Sequence, residues 1–148
     1  MDKILLRYSN LPQNLAKDFE AIALDDEDTT QYPEEYPAYL NEKLFGATAA
    51  NYVKRFGAAD VFGIDFSNYY LSAMADRSSA SSFQKKGKVC FIYNVGKEPV
   101  ENKNLASSLL QYLVTQLIDK GIAVIIVSEE LSGSIQRTYG IDIKGRVR

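Results

Sequence analysis

Two uninterrupted apolar runs, Val89-Cys90-Phe91-Ile92-Tyr93 and Ile122-Ala123-Val124-Ile125-Ile126-Val127, constrain this chain more than any other feature. A strand covered on one face alternates apolar and polar side chains, whereas a run without alternation must be covered on both faces, as in a parallel sheet flanked by helices. Between the runs, Leu105, Leu109, Tyr112, Leu113, Gln116 and Leu117 recur at helical spacing. They predict an amphipathic helix from about Asn102 to Lys120 with this stripe buried. Lys120-Gly121 supplies the cation and the glycine on which helices commonly end. Strand, helix and strand across residues 89–127 form a βαβ unit, for which parallel strands and a right-handed crossover are expected.

Upstream, residues from Ala38 to Phe56 read as helical with a weak point at Gly46, and Ala49, Ala50, Val53 and Phe56 share one face. Gly57-Ala58-Ala59 ends that run, and Val61-Phe62-Gly63-Ile64-Asp65-Phe66 has the make-up of a short buried strand. Ser67 or Asn68 is the expected cap of a following helix that carries Tyr69, Tyr70, Leu71 and Met74. Residues 75–88 are small and polar with a basic end, as a loop would be, and a last short helix is expected from Leu131 to Tyr139. The whole predicts an α/β fold, a three-layer sandwich with a small, mostly parallel sheet and helices on both faces. With 148 residues, one domain is expected, residues 1–43 its less regular segment and residues 44–148 its βαβ core. Within the first segment, Asn10 and Pro12 suit the start of a modest helix through about Glu20.

Composition removes whole classes of chemistry. The chain has no histidine, so Ser-His-Asp and Cys-His nucleophiles, histidine bases and His-ligated zinc are excluded. Cys90 is the one cysteine, which excludes an intramolecular disulfide and multi-cysteine metal sites, and its place in an apolar run reads as a buried small hydrophobe. A net charge of -2 supplies no global field for nucleic acid, so direct nucleic-acid binding is expected to be weak or absent. The apolar opening Ile4-Leu5-Leu6 is too short for a signal peptide, and no window approaches the length of a membrane span. A cytoplasmic protein without membrane contact is the expectation. The acidic run Asp25-Asp26-Glu27-Asp28 lacks the glycine turn and terminal glutamate of a calcium loop and reads as a solvated surface, so no metal site is expected.

In sheets of this class ligands bind beyond the carboxyl ends of the strands. The segments Phe66-Ser67-Asn68, Tyr93 to Glu98 and Ser128-Glu129-Glu130 should therefore converge. A phosphate cradle needs a glycine-rich turn at a helix start together with a lysine. The nearest stretch, Gly46-Ala47-Thr48-Ala49-Ala50, has one glycine and no lysine.

The order of these elements resembles the helicase-loader (DnaC/IstB-like) branch of the AAA+ P-loop ATPases over about residues 44–148. In that family an apolar strand ends in two acids, a hydrophobic residue, Gly, a variable residue and Glu. Here Tyr93-Asn94-Val95-Gly96-Lys97-Glu98 keeps the Gly and Glu, with Tyr93 and Asn94 in place of the acids. The family's later strand ends in Ser or Thr with Asn, which Ser128-Glu129 is similar to. Tyr139 to Arg146 resembles the approach to the family's trans-acting arginine, which the likeness puts at Arg146, with Lys144 and Arg148 beside it. The likeness also makes Gly46 and Thr48 a shortened remnant of the phosphate loop. It thus implies a nucleotide-facing set of Gly46, Thr48, Asn94, Gly96, Glu98 and Ser128, and a partner-facing set of Lys144, Arg146 and Arg148.

Phosphoryl transfer needs the loop, its lysine and a metal-holding acid, and all three are damaged here. The expected role is therefore noncatalytic with no bound cofactor; ATP with magnesium, and a residual ATPase, stay open although no intact motif supports them. That role is to bind a protein partner in DNA replication or a mobile element, such as a replicative helicase or related ATPase. Two other classes remain open. One is an unrelated α/β protein-binding module, an inhibitor or immunity protein, using residues 1–43 and tyrosines such as Tyr36. The other is a small-molecule enzyme with Asp65, Lys97, Glu98 and Glu129 as acid–base groups.

Overall fold

The computed structural model describes residues 4–8, 15, 47–75, 87–98, 103–128 and 132–146. In chain order they form β1 (Ile4–Tyr8), α1 (Ala47–Phe56), β2 (Val61–Asp65), α2 (Phe66–Ala75), β3 (Val89–Tyr93), α3 (Lys103–Asp119), β4 (Ala123–Ser128), α4 (Ser132–Tyr139) and β5 (Ile143–Arg146). The strands make one sheet in the order β2-β3-β4-β1-β5. β2, β3 and β4 are parallel, with Val61 opposite Val89 and Val89 opposite Ala123. β1 runs antiparallel to β4, and β5 antiparallel to β1, so only β1 opposes the common direction. The sheet is thus mostly parallel, as expected.

The pleat sends alternate side chains of each strand to opposite faces, and both faces are covered. Phe62, Ile64, Cys90, Ile92, Val124 and Ile126 lie against α2, α3 and α4. Val61, Val89, Phe91, Ala123, Ile125 and Val127 lie against α1 and the buried, helical Leu15. Phe91, Ile92, Ile125 and Ile126 are fully buried, which is why their runs carry no polar alternation. The three-layer α/β architecture follows directly. No described helix is long and apolar enough to cross a membrane.

Three expectations shift. The stripe of α3 that faces the sheet is Ala106, Leu110, Leu113, Val114 and Leu117, all buried, while Leu105 and Leu109 are half-buried and Tyr112 is 42% exposed. The two stripes share Leu113 and Leu117, and a pattern read from large side chains at helical spacing passes over Ala106. α3 also has a neighbour on each flank, so Leu105 and Leu109 pack sideways instead of down. Secondly, part of the less regular N-terminal segment supplies β1, seated between β4 and β5. Thirdly, Lys144 and Arg146, which taken residue by residue read sooner as a solvated basic tail than as a partner contact, belong to β5, with Leu6 opposite Arg146. Both strands are short, and their pairing joins opposite ends of the chain, which no local pattern records. The helix expected from Asn10 through Glu20, the helical residues before Ala47 and the acidic run at Asp25 lie outside the described residues, Leu15 excepted.

The expected end of α3 is present. Gly121 takes a positive φ of 76°, and the N–H of Ile122 donates to the Leu117 carbonyl at 3.0 Å, closing the last turn in the way a C-terminal glycine permits.

The rotated stripe makes a contrast that urea denaturation reads. Leu113→Ala should cost about 2–5 kcal/mol, because it leaves a cavity in the layer over the sheet. Tyr112→Ala should cost less than about 1 kcal/mol. Equal losses would restore the stripe inferred from spacing alone.

Candidate functional site

The parallel strands place three chain segments at one edge of the sheet. Asp65 stands opposite Tyr93, and Ile92 opposite Ile126, so β2, β3 and β4 end together. α1 begins at the same edge. Its last residue, Phe56, leads through a tight turn into β2, and the earlier Tyr52 meets Phe91 edge-on at 5.6 Å. α1 therefore runs against the strands.

Beyond β3 the chain turns sharply. Asn94 has φ 61° and Gly96 φ 96°, a conformation that glycine adopts freely and asparagine better than most residues. The N–H of Lys97 donates to the Asn94 carbonyl at 3.1 Å and closes the turn. This folds Glu98 back into the protein, where it is only 3% exposed. One carboxylate oxygen, Oε2, accepts the Gly96 N–H at 2.8 Å, and the other, Oε1, accepts the hydroxyl of the fully buried Tyr139. From the end of β4, Ser128 Oγ donates to the Val95 carbonyl at 3.2 Å. The expected convergence of the turn and the end of β4 is therefore direct.

Tyr139 draws in the remaining elements. Its ring meets Phe66, the first residue of α2, edge-on at 6.2 Å. Its backbone carbonyl, at the end of α4, accepts from Ser107 Oγ at 2.9 Å and Gln111 Nε2 at 2.7 Å. The side chains of α3 that face α4 thus cap it. Sequence reasoning missed Tyr139, Ser107 and Gln111, because a pairing between residues 41 positions apart leaves no motif.

The candidate residues separate cleanly. Asn94, Gly96, Glu98 and Ser128 come together. Thr48 lies in the first turn of α1, at the same edge. Gly46, Glu129 and Arg148 lie outside the described residues. Arg146 falls on the sheet row Ile64, Ile92, Ile126, Leu6, Arg146, two strands beyond β4 and apart from the cluster. Asp65 has a different role from the acid–base one considered. Its Oδ1 accepts the N–H groups of Ser67 at 3.0 Å and Asn68 at 3.3 Å. Asp65 is therefore the cap of α2 in place of Ser67 or Asn68, since the helix starts at Phe66, one residue after the strand ends. Lys97 is exposed and Cys90 is fully buried in β3.

The cluster is a hydrogen-bond network built on Glu98. Both oxygens of Glu98 receive protein donors, and the Ser128 hydroxyl donates to backbone. Among the described residues no group of three acids or cysteines is arranged to hold a metal ion. What the geometry does is fix the turn after β3, the end of β4 and the end of α4 against one another.

A second polar group lies between α2 and α3. The hydroxyl of Tyr69 is buried, and like Gln116 Oε1 it has no hydrogen-bond partner among the described residues, while Gln116 Nε2 donates to Tyr112 Oη at 2.6 Å. Burial, reinforced by the neighbouring Tyr112 phenol, pushes the Tyr69 phenol up to about 12.

Compared with protein-family models, curated proteins and solved structures, the chain matches none.

Tyr69 gives a titration test. Its folded value of about 12 lies above the ordinary 10.0, so the native state holds this proton more tightly. The stability associated with it is complete below pH 10.0 and falls as pH rises from there towards 12. In ultraviolet titration the Tyr69 phenol should ionise late, and Tyr69→Phe should remove one such step. An unchanged titration in Tyr69→Phe would refute the assignment.

Proposed function

We propose that this chain is a noncatalytic relative of the helicase-loader ATPases, working in the cytoplasm by binding a protein partner in DNA replication or a mobile element. The observation that carries this reading is the engagement of Glu98. In the resemblance, Gly96 and Glu98 follow the strand that would hold the metal and water, and Ser128 ends the neighbouring strand. These residues do meet at one edge, which supports the likeness. Yet the carboxylate is spent on Gly96 N–H and Tyr139 O–H, and Tyr93 and Asn94 offer no acid beside it.

Among the described strands, β1 is not one that leads into a phosphate loop. A phosphate loop joins the carboxyl end of a strand to the start of a helix. β1 runs antiparallel to β4, so its carboxyl end lies at the edge opposite to the start of α1. β1 and α1 therefore do not frame such a loop. Partner contact is the role proposed, with Arg146 on β5 as the residue acting on a neighbouring ATPase and Lys144 near it in sequence. Sequence-independent phosphate contacts play little part at a net charge of -2.

A mixed-ATPase assay with replicative helicases and their loading ATPases tests this. The wild-type chain should change the partner's rate by about tenfold or more if Arg146 acts in trans, and Arg146→Ala should abolish the change. The chain alone should release no phosphate above blank. Neither binding nor a rate change with any such partner would overturn the reading.

A further inference from the structure

We infer that Glu98 is a positioning residue: through Tyr139 it holds the arm formed by α4 and β5, and so sets where the C-terminal strand lies. Among the described strands β5, four residues long, lies at the edge of the sheet and pairs with β1. A strand so short, paired on one side, has little ladder to keep it in place. Further support comes from the buried Ile141, from Ile143, which packs against the same core, and from α4, which ends at Tyr139 with three residues between it and β5. Gln136 on α4 reaches forward, its Nε2 donating to the Ile143 carbonyl at 2.9 Å. The arm is thereby one unit, and two polar attachments fix its hinge. Ser107 and Gln111 hold the Tyr139 carbonyl to α3, and Glu98 holds the Tyr139 hydroxyl to the turn after β3.

The two attachments differ in consequence. The first fixes one backbone atom of α4. The second fixes the far end of a rigid side chain and connects it to Gly96, at the edge where the sequence resemblance puts nucleotide chemistry. Glu98 thus works as a brace between that edge and the strand bearing Arg146. The bearing on Arg146 rests on the partner-binding reading above; the positioning of β5 does not.

Native-state hydrogen exchange on the full chain tests the brace. Tyr139→Phe removes only the hydroxyl and keeps the ring against Phe66, and Glu98→Ala removes the whole brace. Each should raise exchange of the amides of residues 141–146 by about ten- to a hundredfold, leaving those of β3 and β4 near wild type. Glu98→Gln should restore protection to within about threefold, because a carboxamide accepts from Gly96 N–H and donates to the Tyr139 oxygen. A uniform rise across the sheet, or unchanged protection of β5, would overturn the inference. The partner assay separates the two readings. If Glu98→Gln keeps the partner's response and Glu98→Ala loses it together with β5 protection, the brace serves the partner contact. Selective loss of β5 protection with a full partner response upholds the brace and removes Arg146 from that contact.

Discussion

The structure depends on burying β3 and β4 on both faces at once. Phe91 and Ile125 must be covered from one side and Ile92 and Ile126 from the other, so a single layer of helices would leave half of each strand in water. Side chains of this size stabilise a fold by roughly 1.5–3 kcal/mol each on full burial. That requirement forces α1 onto one face and α2, α3 and α4 onto the other. It also gathers the carboxyl ends of three parallel strands at one edge, where Asp65, Asn94, Gly96, Glu98 and Ser128 are found.

At that edge the constraint changes from apolar to polar. A carboxylate cannot be buried without donors, and leaving a buried polar group unpaired costs about 1–3 kcal/mol. Glu98 meets this with Gly96 N–H on one oxygen and Tyr139 O–H on the other. The positive φ at Asn94 and Gly96 is what turns Glu98 inward. A phosphate-handling edge keeps its acids directed at the ligand; here the acid is directed at α4. The same residues that carry the family likeness therefore serve to join the turn, β4 and α4.

The sequence made the centre of the fold legible and its margins opaque, for a physical reason. β3, α3 and β4 announce themselves because two-sided burial removes polar residues from a strand and one-sided burial gives a helix its stripe. Even there, spacing marks Tyr112 as core and passes over Ala106, because spacing fixes a period but only packing fixes its phase. β1 and β5 pair across nearly the whole chain, and nothing in Ile4-Leu5-Leu6 or Ile143-Lys144-Gly145-Arg146 records a partner. At the site, Gly96, Glu98 and Ser128 were legible as neighbours of strand ends. The engagement of Glu98 was not, since it needs Tyr139, a residue that reads only as the end of a helix. Asp65 was passed over as a cap because it also ends a strand.

With its acid turned inward and its first strand reversed, the edge is suited to holding the protein's own elements in place, and the partner-binding role is proposed on that basis. Calorimetric titration with ATP and ADP in the presence of magnesium tests this claim most directly. No saturable heat is expected at protein concentrations of about 0.1 mM, meaning that any affinity is too weak to hold nucleotide. Saturable binding at micromolar affinity would contradict it, and would mean that residues around Gly46 and Thr48 hold phosphates at the edge assigned here to structure.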